Sequence, residues 1–467
     1  MSGNALNYSD VDITWQENAN NIAQVAATPF AAYILTRHDG LRGSVFLSAA
    51  TLLLQCGLFA VVVAVPSLPS AVPLAASIAG GVNCAFVQGV PTMISAMFFP
   101  PARRGRTTAI MYTSTYIGVC TSYLGYAYVE RAASFKGLQN LLYCEAGLAF
   151  LLLLATAYFF PAPQDCRVAS LLQRVGTDAA DAADAADVDA DADLDHAREP
   201  PGAVGGNRRS SEGGATPSRL GFAQGLLHCL RQPSVVLLIV AAAATNGTLT
   251  AWQGVIPILF RDLGNATTNG SAINGTGGGG GNRNGFKSSR GDICSLISSL
   301  GYAMGGYFGG ELGDRCFANK LKTLLVTCIS LGAVTFLFIV LLIPPPFFPS
   351  WLQIHVDSGP NGVYSLLLSF SFMSGACLGG TMPVALEILA ETAYPAAEGI
   401  TANASLFLTQ LFCFALTALV PVWSAQLVTF AVLATAGSCL VLTLIADASN
   451  NRRKAQLKAA AHDAYLN

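Results

Sequence analysis

The sequence predicts an all-α polytopic membrane protein built from two bundles of helices. Of its 467 residues, 52% are hydrophobic and only 11% are charged, whereas soluble domains carry about 25% charged residues. The apolar residues form runs close to the ~20 residues that cross a bilayer as a helix. One long polar linker divides these runs into two groups. A net charge of −2 gives no reason to expect a nucleic-acid partner.

Eleven apolar segments are candidate membrane spans, five before the linker and six after it. They cover residues 20–36, 43–65, 72–99, 107–129, 138–160, 234–260, 293–312, 323–344, 362–392, 400–422 and 424–446. The predicted domains are an N-terminal bundle at 20–160, a linker at 161–233 and a C-terminal bundle at 234–446. The first span is the weakest, because Asn20, Asn21 and Gln24 dilute it and Pro29 is expected to kink it.

Basic residues predict which side of the membrane each loop occupies. Most of the 25 lysine and arginine residues fall in the linker, the tail 447–467 and the short loops on the same side, which we assign to the cytosol. Segment 1–19 and loop 261–290 then lie on the other side. That loop carries three N-glycosylation sequons, at Asn265, Asn269 and Asn274, and their position agrees with this sidedness.

Two stretches have compositions that do not form a packed core. Residues 178–195 read DAADAADAADVDADADLD, an acidic repeat that predicts a largely disordered linker. Residues 277–285 are rich in glycine and predict a flexible segment within loop 261–290. Segment 1–19 is polar and has no apolar centre, so it does not read as a cleavable signal peptide.

The twelve cysteines are scattered singly, mostly within apolar runs. This placement is typical of small packing residues, and no C-x-x-C or Cys/His group suggests a metal site. No P-loop and no nucleophile–base pair is visible, so neither ATP-driven transport nor enzymatic activity is expected. We predict no cofactor.

A short motif follows the seventh candidate span. Gly310-Glu-Leu-Gly-Asp314-Arg315, with Lys320 and Lys322 behind it, resembles the G-x-x-x-D-R signature in the cytosolic loops of the major facilitator superfamily. A degraded copy, TRHDGLRG, covers Thr36 to Gly43 in the first half. The resemblance implies two bundles that rock about a central site.

Longer stretches resemble one branch of that superfamily, solute carrier family 49, the feline leukaemia virus subgroup C receptor-related group. PVALEILAETAYPAAEGIT (Pro383 to Thr401) is similar to its P-x-x-x-E-x-x-x-E-x-x-Y-P-x-x-E-G stretch, and FFPPARRGRTTAI (Phe98 to Ile110) to its F-P-x-x-x-R-x-x-A-T-A-I loop. LLYCEAGLAFLLLLATAYFFPAP (Leu141 to Pro163) and TNGTLTAWQGV (Thr245 to Val255) look like the disrupted-in-renal-carcinoma 2 members.

The resemblance implies a solute of one of three kinds: pyridoxine-like, choline or ethanolamine, or haem. Tyr116 stands where the choline-transporting relatives carry Gln, which disfavours choline, and no His-rich or Cys-Pro signature supports haem. In this alignment the chain begins after the family's first helix, so we expect about eleven helices. That helix normally lines the central cavity. Its absence would favour the alternative of a homologue that does not transport and acts as a membrane receptor, sensor or scaffold.

Polar side chains at membrane depth are costly and therefore mark candidate sites. Glu145 is the ionisable residue placed deepest in a span, which suggests proton coupling, with a polar contact between helices as the alternative. Asn246 and Gln253 are two helical turns apart and share a face. Trp252 could stack on a solute or anchor the helix at the membrane interface. The full set of substrate-binding candidates is Asn83, Gln88, Tyr116, Asn246, Trp252, Gln253, Cys377 and Thr381, and some of these residues are expected to serve packing alone.

Carboxylates near the cytosolic boundary suggest a gate. Glu387 and Glu391 share a helix face, and Glu398 begins the next helix, where a carboxylate suits the positive helix end. The predicted gate pairs such groups with basic loop residues, against the plainer alternative of ordinary interfacial anions. Its candidate members are Gly310, Asp314, Arg315, Glu387, Glu391, Glu398, Arg103, Arg104 and Arg106.

Together these observations predict a monomeric transporter that moves a small organic solute, is facilitative or proton-coupled, and works by alternating access. Its partners would be the lipid bilayer, the solute and, if coupled, protons. Glycosylation fits either the plasma membrane or an endolysosomal membrane.

Overall fold

The computed structural model describes most of both predicted bundles. It covers residues 10–35, 40–99, 103–132, 135–160, 222–273, 288–317, 320–345, 347–349, 359–396, 398–420 and 423–447. These residues fold into α-helices joined by short turns, and no β-strand occurs among them.

The described helices fall into two groups separated by residues 161–221. The first group contains α1 (Asp10–Leu35), α2 (Gly40–Ala64), α3 (Ala71–Gln88), α4 (Val90–Phe98), α5 (Arg104–Ala132) and α6 (Phe135–Phe159). The second contains α7 (Phe222–Arg231), α8 (Pro233–Ile273), α9 (Ser288–Arg315), α10 (Leu321–Leu342), α11 (Gly359–Gly379), α12 (Thr381–Thr392), α13 (Glu398–Leu419) and α14 (Ala425–Ile445).

Every predicted span coincides with helical structure, and the predicted all-α, two-bundle fold class is confirmed. Two of the spans are each made of two helices. Gly89 separates α3 from α4, and Gly380 separates α11 from α12. Eight stretches of the described chain are long and apolar enough to cross a membrane, judged by length and composition.

Helices α1, α5 and α9 are not among those eight stretches, because polar residues dilute them. Their positions explain this composition. Within the N-terminal bundle α1 packs on α3, and α2 on α3 and α6; within the C-terminal bundle α8 packs on α13 and α14, and α9 on α11. The bundles meet along two seams, α5 against α9 and α1 against α13. The polar faces of the three helices can therefore contact protein instead of lipid.

Two segments differ from the sequence expectation. Helix α7 lies inside the linker predicted to be largely disordered; Gly225 and Cys229 are buried on one face, while Arg231 on another face is exposed. The sequence of α7 has an amphipathic pattern over ten residues, but this helix was not predicted because the acidic repeat dominates the linker. Loop 261–290 is shorter than expected, because α8 continues to Ile273 and α9 begins at Ser288.

The glycosylation candidates belong to that same region. Asn265 and Asn269 fall within the C-terminal part of α8. Asn274 lies outside the described residues, as do the acidic repeat 178–195, segment 277–285, residues 1–9 of segment 1–19 and residues 448–467 of the tail. Glycosylation therefore stays a prediction.

Helices α9 and α11 approach until their backbones touch. A Cβ atom on Gly305 would collide with the carbonyl of Ala376, and one on Gly375 would collide with the carbonyl of Ser298. Small residues permit such close packing between membrane helices, where dispersion contacts and weak polar contacts replace the hydrophobic effect. This packing fixes the face of α9 that looks toward the other bundle.

Gly305→Val is therefore expected to destabilise the C-terminal bundle. Overpacking costs about 1–3 kcal/mol, and here the colliding atoms are main-chain atoms that cannot rotate away. The measurement is the thermal unfolding midpoint of the detergent-solubilised chain. Gly437→Val on α14 is the matched control, since nothing lies within 4 Å of the added Cβ. Equal midpoints for the two variants would contradict the tight α9–α11 contact.

Candidate functional site

Hydroxyl and amide side chains meet where the two bundles touch at the middle of the α5–α9 seam. We call Tyr112, Tyr116, Asn246, Thr250 and Tyr302 the central cluster. Helical spacing brings them together: Tyr112 and Tyr116 are one turn apart on α5, and Asn246 and Thr250 are one turn apart on α8. Tyr302 reaches them from α9.

The central cluster joins the two bundles through Tyr116, while Tyr302 and Asn246 are linked within the C-terminal bundle. The rings of Tyr116 and Tyr302 stack with their centroids 3.8 Å apart and their planes inclined by 26°. The Tyr302 hydroxyl donates a hydrogen bond to Asn246 Oδ1 at 2.6 Å. Tyr116 shares side-chain hydrogen bonds with Tyr302 and Thr250. Separating the bundles here would break a stacking contact and hydrogen bonds together.

Tyr112 ties the cluster to the interruption between α3 and α4. Its hydroxyl donates to the carbonyl oxygen of Gln88 at 2.8 Å, where α3 ends. Carbonyls in the last turn of a helix lack an intrahelical partner, so the tyrosine satisfies a group that the break exposes. Discontinuous helices of this kind line binding sites in many transporters.

The next residue, Gly89, faces α13 of the other bundle. A Cβ on Gly89 would lie 2.6 Å from Asn403 Nδ2, so a larger residue here would make the Asn403 side chain shift. Asn403 is buried and donates through Nδ2 to the carbonyl of Gly399. The interruption thus meets both seams, through Tyr112 on one side and Asn403 on the other.

The central cluster is uncharged and largely buried, with Tyr116 and Thr250 half-buried. Tyr302 and Asn246 are each 3% exposed, and Tyr112 is 7% exposed. Thr113, next to Tyr112, adds another inter-bundle hydrogen bond by donating to the carbonyl of Ala303 at 3.1 Å. With the tyrosine rings in contact, this conformation is closed at the centre of the seam.

Three of the predicted substrate residues meet in or beside this cluster. Tyr116 and Asn246 are members, and Gln88 contributes its main-chain carbonyl. The side-chain Oε1 atom of Gln88 is buried and has no hydrogen-bond partner. It is therefore an unpaired acceptor on the residue whose main-chain carbonyl Tyr112 binds.

Two further candidates on α8 face other helices. Gln253 donates to Ser298 on α9 at 3.2 Å, so it shares with Asn246 the α9-facing side that its spacing predicted. Trp252 is 2% exposed and packs its ring edge-to-face on Phe336 of α10, with centroids 4.8 Å apart. Trp252 is therefore a core residue of the C-terminal bundle, and the expectation of a solute-stacking or interfacial tryptophan does not match its position.

Each of the remaining candidates makes its contacts within its own bundle. Asn83 accepts a hydrogen bond from Ser48 of α2 at 2.6 Å. Thr381 is fully buried and donates to the carbonyl of Leu378 in its own chain segment at 2.6 Å. Cys377 is half-buried and interacts with Cys328 of α10. These contacts serve helix packing, the alternative that the sequence left open.

Glu145 is half-buried on α6, which packs mainly against α2. The Cys56 side chain on α2 is close enough to interact electrostatically with the Glu145 carboxyl. The contacts identified for Glu145 do not link it to the central cluster, so its proton-coupling role stays a prediction that rests on its depth in the span.

A second contact between the bundles lies at the predicted cytosolic end of the α5–α9 seam. The Asp314 carboxylate accepts a hydrogen bond from the backbone N–H of Arg106 at 2.7 Å, in the first turn of α5. A carboxylate suits the positive end of a helix, where free N–H groups point outward. Gly310 allows the approach, because a Cβ there would collide with Ala109.

Glu311 adds an ionic bridge to this contact. One carboxylate oxygen lies 3.1 Å from Arg106 Nε and the other lies 2.6 Å from Arg315 Nε. Burial raises the pKa of the neighbouring Asp314 carboxyl above its usual value, while the hydrogen bond from the Arg106 backbone opposes that increase. We call Arg106, Glu311, Asp314 and Arg315 the end contact.

The other predicted gate residues lie near the start of α5 and on α12 and α13. Arg103 is exposed, and Arg104 donates through Nε to the Phe99 carbonyl at 3.2 Å. Glu387 and Glu391 are half-buried one turn apart on α12. Glu398 is the first residue of α13, as its spacing predicted, and its side chain lies outside the described part.

Four functional candidates were missed from the sequence: Tyr112, Thr250, Tyr302 and Glu311. A signal for the tyrosines existed, since α5 and α9 hold more polar residues than a lipid-facing span tolerates. Among the described residues, no group of three or more His, Cys, Asp or Glu residues is arranged to hold a metal ion.

Two helical bundles that meet along two seams, with interrupted helices and a buried polar cluster at the centre, define the fold of a secondary transporter. The family model for the Major Facilitator Superfamily matches residues 2–291, and the chain belongs to that superfamily. It is an integral membrane protein.

Comparison with individual proteins places the chain near one branch. It is 22% identical over 393 residues to a solute carrier family 49 member 4 homolog from Xenopus tropicalis, a match that covers 81% of this chain and 70% of that protein. This similarity agrees with the branch that the sequence motifs predicted.

Two solved structures share the fold. One is the proton:xylose symporter XylE bound to 6-bromo-6-deoxy-D-glucose, with a TM-score of 0.61 at 12% identity, covering 94% of this chain and 87% of that one. The other is the fucose:proton symporter FucP of E. coli, with a TM-score of 0.54 at 12% identity, covering 96% and 95%. At this identity the likeness concerns the fold alone.

Proposed function

We propose that the chain is a facilitative or secondary active transporter of a small organic solute, and that the solute binds at the central cluster during alternating access. The observation that carries this proposal is the Tyr116–Tyr302 stack. It joins the bundles through two flat aromatic faces that can separate when the bundles rock, and a planar ring could then replace one face of the pair.

The chemistry of the cluster favours an uncharged aromatic solute with hydroxyl groups. Tyrosine faces stack on rings, while Asn246, Thr250 and the free Oε1 of Gln88 supply hydrogen-bonding groups. The cluster itself carries no carboxylate to balance a quaternary ammonium. A pyridoxine-like solute fits this description best, with choline or ethanolamine and haem as the other solutes to be tested.

Coupling to protons would use Glu145. A carboxyl group at membrane depth is costly when ionised, which makes protonation during the cycle favourable. Glu145 lies away from the cluster, so coupling would act through the movement of α6 with its bundle and not through contact with the solute. The two solved neighbours named above are proton symporters, which supports testing this coupling first.

The test is uptake of labelled pyridoxine, choline, ethanolamine and haem in cells that express the full chain, at neutral and acidic external pH. We expect pyridoxine uptake to rise with external acidity. Glu145→Gln, which keeps the size of the side chain but cannot ionise, should abolish this pH dependence. Gln139→Glu on the same helix is a control for added charge, because Gln139 donates to the Val63 carbonyl at the end of α2.

Other outcomes would redirect the proposal. Uptake of choline or haem instead of pyridoxine would change the solute and keep the transporter. No uptake of any of the four, with the chain present at the plasma membrane or an endolysosomal membrane, would favour the receptor, sensor or scaffold function. Deglycosylation of the same membranes would test the sequons in parallel.

A further inference from the structure

A lateral groove of about 310 Å³ opens beside the second seam. Its walls come from α1, α7, α8 and α13, and its lining includes Ala32, Leu226, Ile239, Ala404 and Phe407. It is separate from the central cluster, none of whose members line it. Its volume is at the lower end of the range for small-molecule sites.

The groove is almost wholly apolar. Thr28 donates to the carbonyl of Gln24, and Asn403 donates to the carbonyl of Gly399 while its buried Oδ1 has no hydrogen-bond partner. One such oxygen is fewer than the two to four polar partners that a buried water needs. A hydrocarbon chain is the occupant that this lining accepts.

The groove faces outward, toward the bilayer. Leu230 on its rim is 62% exposed, and Phe30, which neighbours the lining residue Pro29, is 57% exposed. Two of its walls, α8 and α13, belong to stretches long and apolar enough to cross a membrane. The molecules that lie against this face in a bilayer are phospholipids.

Helix α7 supplies a charge at the edge of the groove. Leu226 and Leu230 line the groove while the next residue, Arg231, is exposed. Amphipathic helices with a basic polar face lie at the membrane surface. Because α7 lies within the linker assigned to the cytosol, Arg231 would face the leaflet that is rich in anionic lipids.

We propose that the lateral groove binds one acyl chain of an anionic phospholipid, with the headgroup held at Arg231. The walls include α1 from one bundle and α8 and α13 from the other. A bound acyl chain therefore touches both sides of the second seam. Bound lipid favours the conformation in which these walls stand at their present separation. The lipid thereby regulates how readily the bundles rock.

The experiment uses the full-length chain in nanodiscs that contain phosphatidylserine or phosphatidylcholine with the same photoactivatable acyl chain. Cross-linked peptides are mapped by mass spectrometry. We expect preferential labelling of the α7 and α13 peptides by phosphatidylserine. Ala404→Trp, which fills the groove, should suppress that labelling. Val334→Trp on α10, whose wild-type side chain is 48% exposed, is the matched control and should leave the labelling unchanged.

Arg231→Gln is a second variant at the exposed end of α7. It should lower the preference for phosphatidylserine about fivefold, the factor that corresponds to ~1 kcal/mol for one basic residue near an anionic surface. Labelling spread evenly over α10 and α13, or unchanged in Ala404→Trp, would overturn the proposal. So would displacement of the label by the transported solute, or cross-linking of a second copy or a linker peptide at the groove. Lipid labelling is read without transport, so failure of the transporter proposal would not affect this test.

Discussion

Tyr302→Phe is expected to reduce solute uptake about tenfold or more. The variant keeps the ring that stacks on Tyr116 but removes the hydroxyl that donates to Asn246. A buried acceptor left without its partner costs about 1–3 kcal/mol, and each 1.4 kcal/mol corresponds to a factor of ten. The same hydroxyl shares a hydrogen bond with Tyr116 of the other bundle, so the state with the bundles closed around the centre is destabilised as well. Initial uptake rates over a range of solute concentrations measure the effect.

Tyr307→Phe is the matched control for this variant. Tyr307 lies on the same helix and packs its ring against Phe308, so the control removes an equal hydroxyl outside the central cluster. We expect its uptake to match the wild-type rate. If both variants transport normally at wild-type surface abundance, the central cluster is not the solute site and the proposal must move elsewhere.

A double-mutant cycle separates the hydrogen bond from general damage to the fold. Asn246→Leu removes the acceptor, and in Tyr302→Phe with Asn246→Leu neither group is left unpaired. The double variant should therefore lose less than the sum of the two single losses in free energy. Additive losses would mean that Tyr302 and Asn246 act independently.

The sequence could reveal Asn246 because a polar side chain inside an apolar run has few ordinary explanations, and it could reveal Tyr116 through the family resemblance. It could not single out Tyr302, because tyrosine is common at membrane interfaces and in bundle cores alike. The deciding information is that α5 and α9 face each other, which follows from tertiary packing. The sequence contained one indication that α5 and α9 face each other, because both helices have an excess of polar residues.

Trp252 was singled out from the sequence, but its neighbours could not be predicted. Helix α8 is buried on nearly every side, with 72% of its most apolar window buried, so its hydrophobic pattern does not distinguish the central face from the α10 face. Spacing could relate Asn246 to Gln253, and both do meet α9. It could not tell which neighbour receives the tryptophan.

The end contact was only partly predictable for a similar reason. The motif around Asp314 indicated a carboxylate at the end of a seam, and three adjacent arginines offered partners. Which arginine is used depends on where α5 begins, because that start aims the backbone N–H groups of Gly105 and Arg106 at Asp314. Glu311 sits one helical turn before Arg315, and its role required knowing that both arginines converge there.

Asp314→Ala is expected to shift the bundles toward the conformation open at the predicted cytosolic end. The variant removes the acceptor at the first turn of α5 and leaves Glu311 alone against the arginines. A hydrogen bond to a charged group contributes about 1.5–3 kcal/mol, so the ratio of open to closed molecules should rise roughly tenfold to a hundredfold. Electron–electron spin distances between labels at Gly43 and Lys320, in a background without accessible cysteines, measure that ratio.

The same experiment needs a control at the same end of the molecule. Asp447→Ala serves, because the exposed Asp447 contacts Ser234 through its own backbone N–H and both residues belong to the C-terminal half. We expect its distance distribution to match the wild type, while Asp314→Ala gains a longer component. Glu311→Gln should fall between them, since it weakens the bridge to Arg106 but spares the hydrogen bond from the α5 backbone. If Asp314→Ala leaves the distances unchanged, the end contact does not hold the bundles together, and closure must depend on the central cluster and the α1–α13 seam.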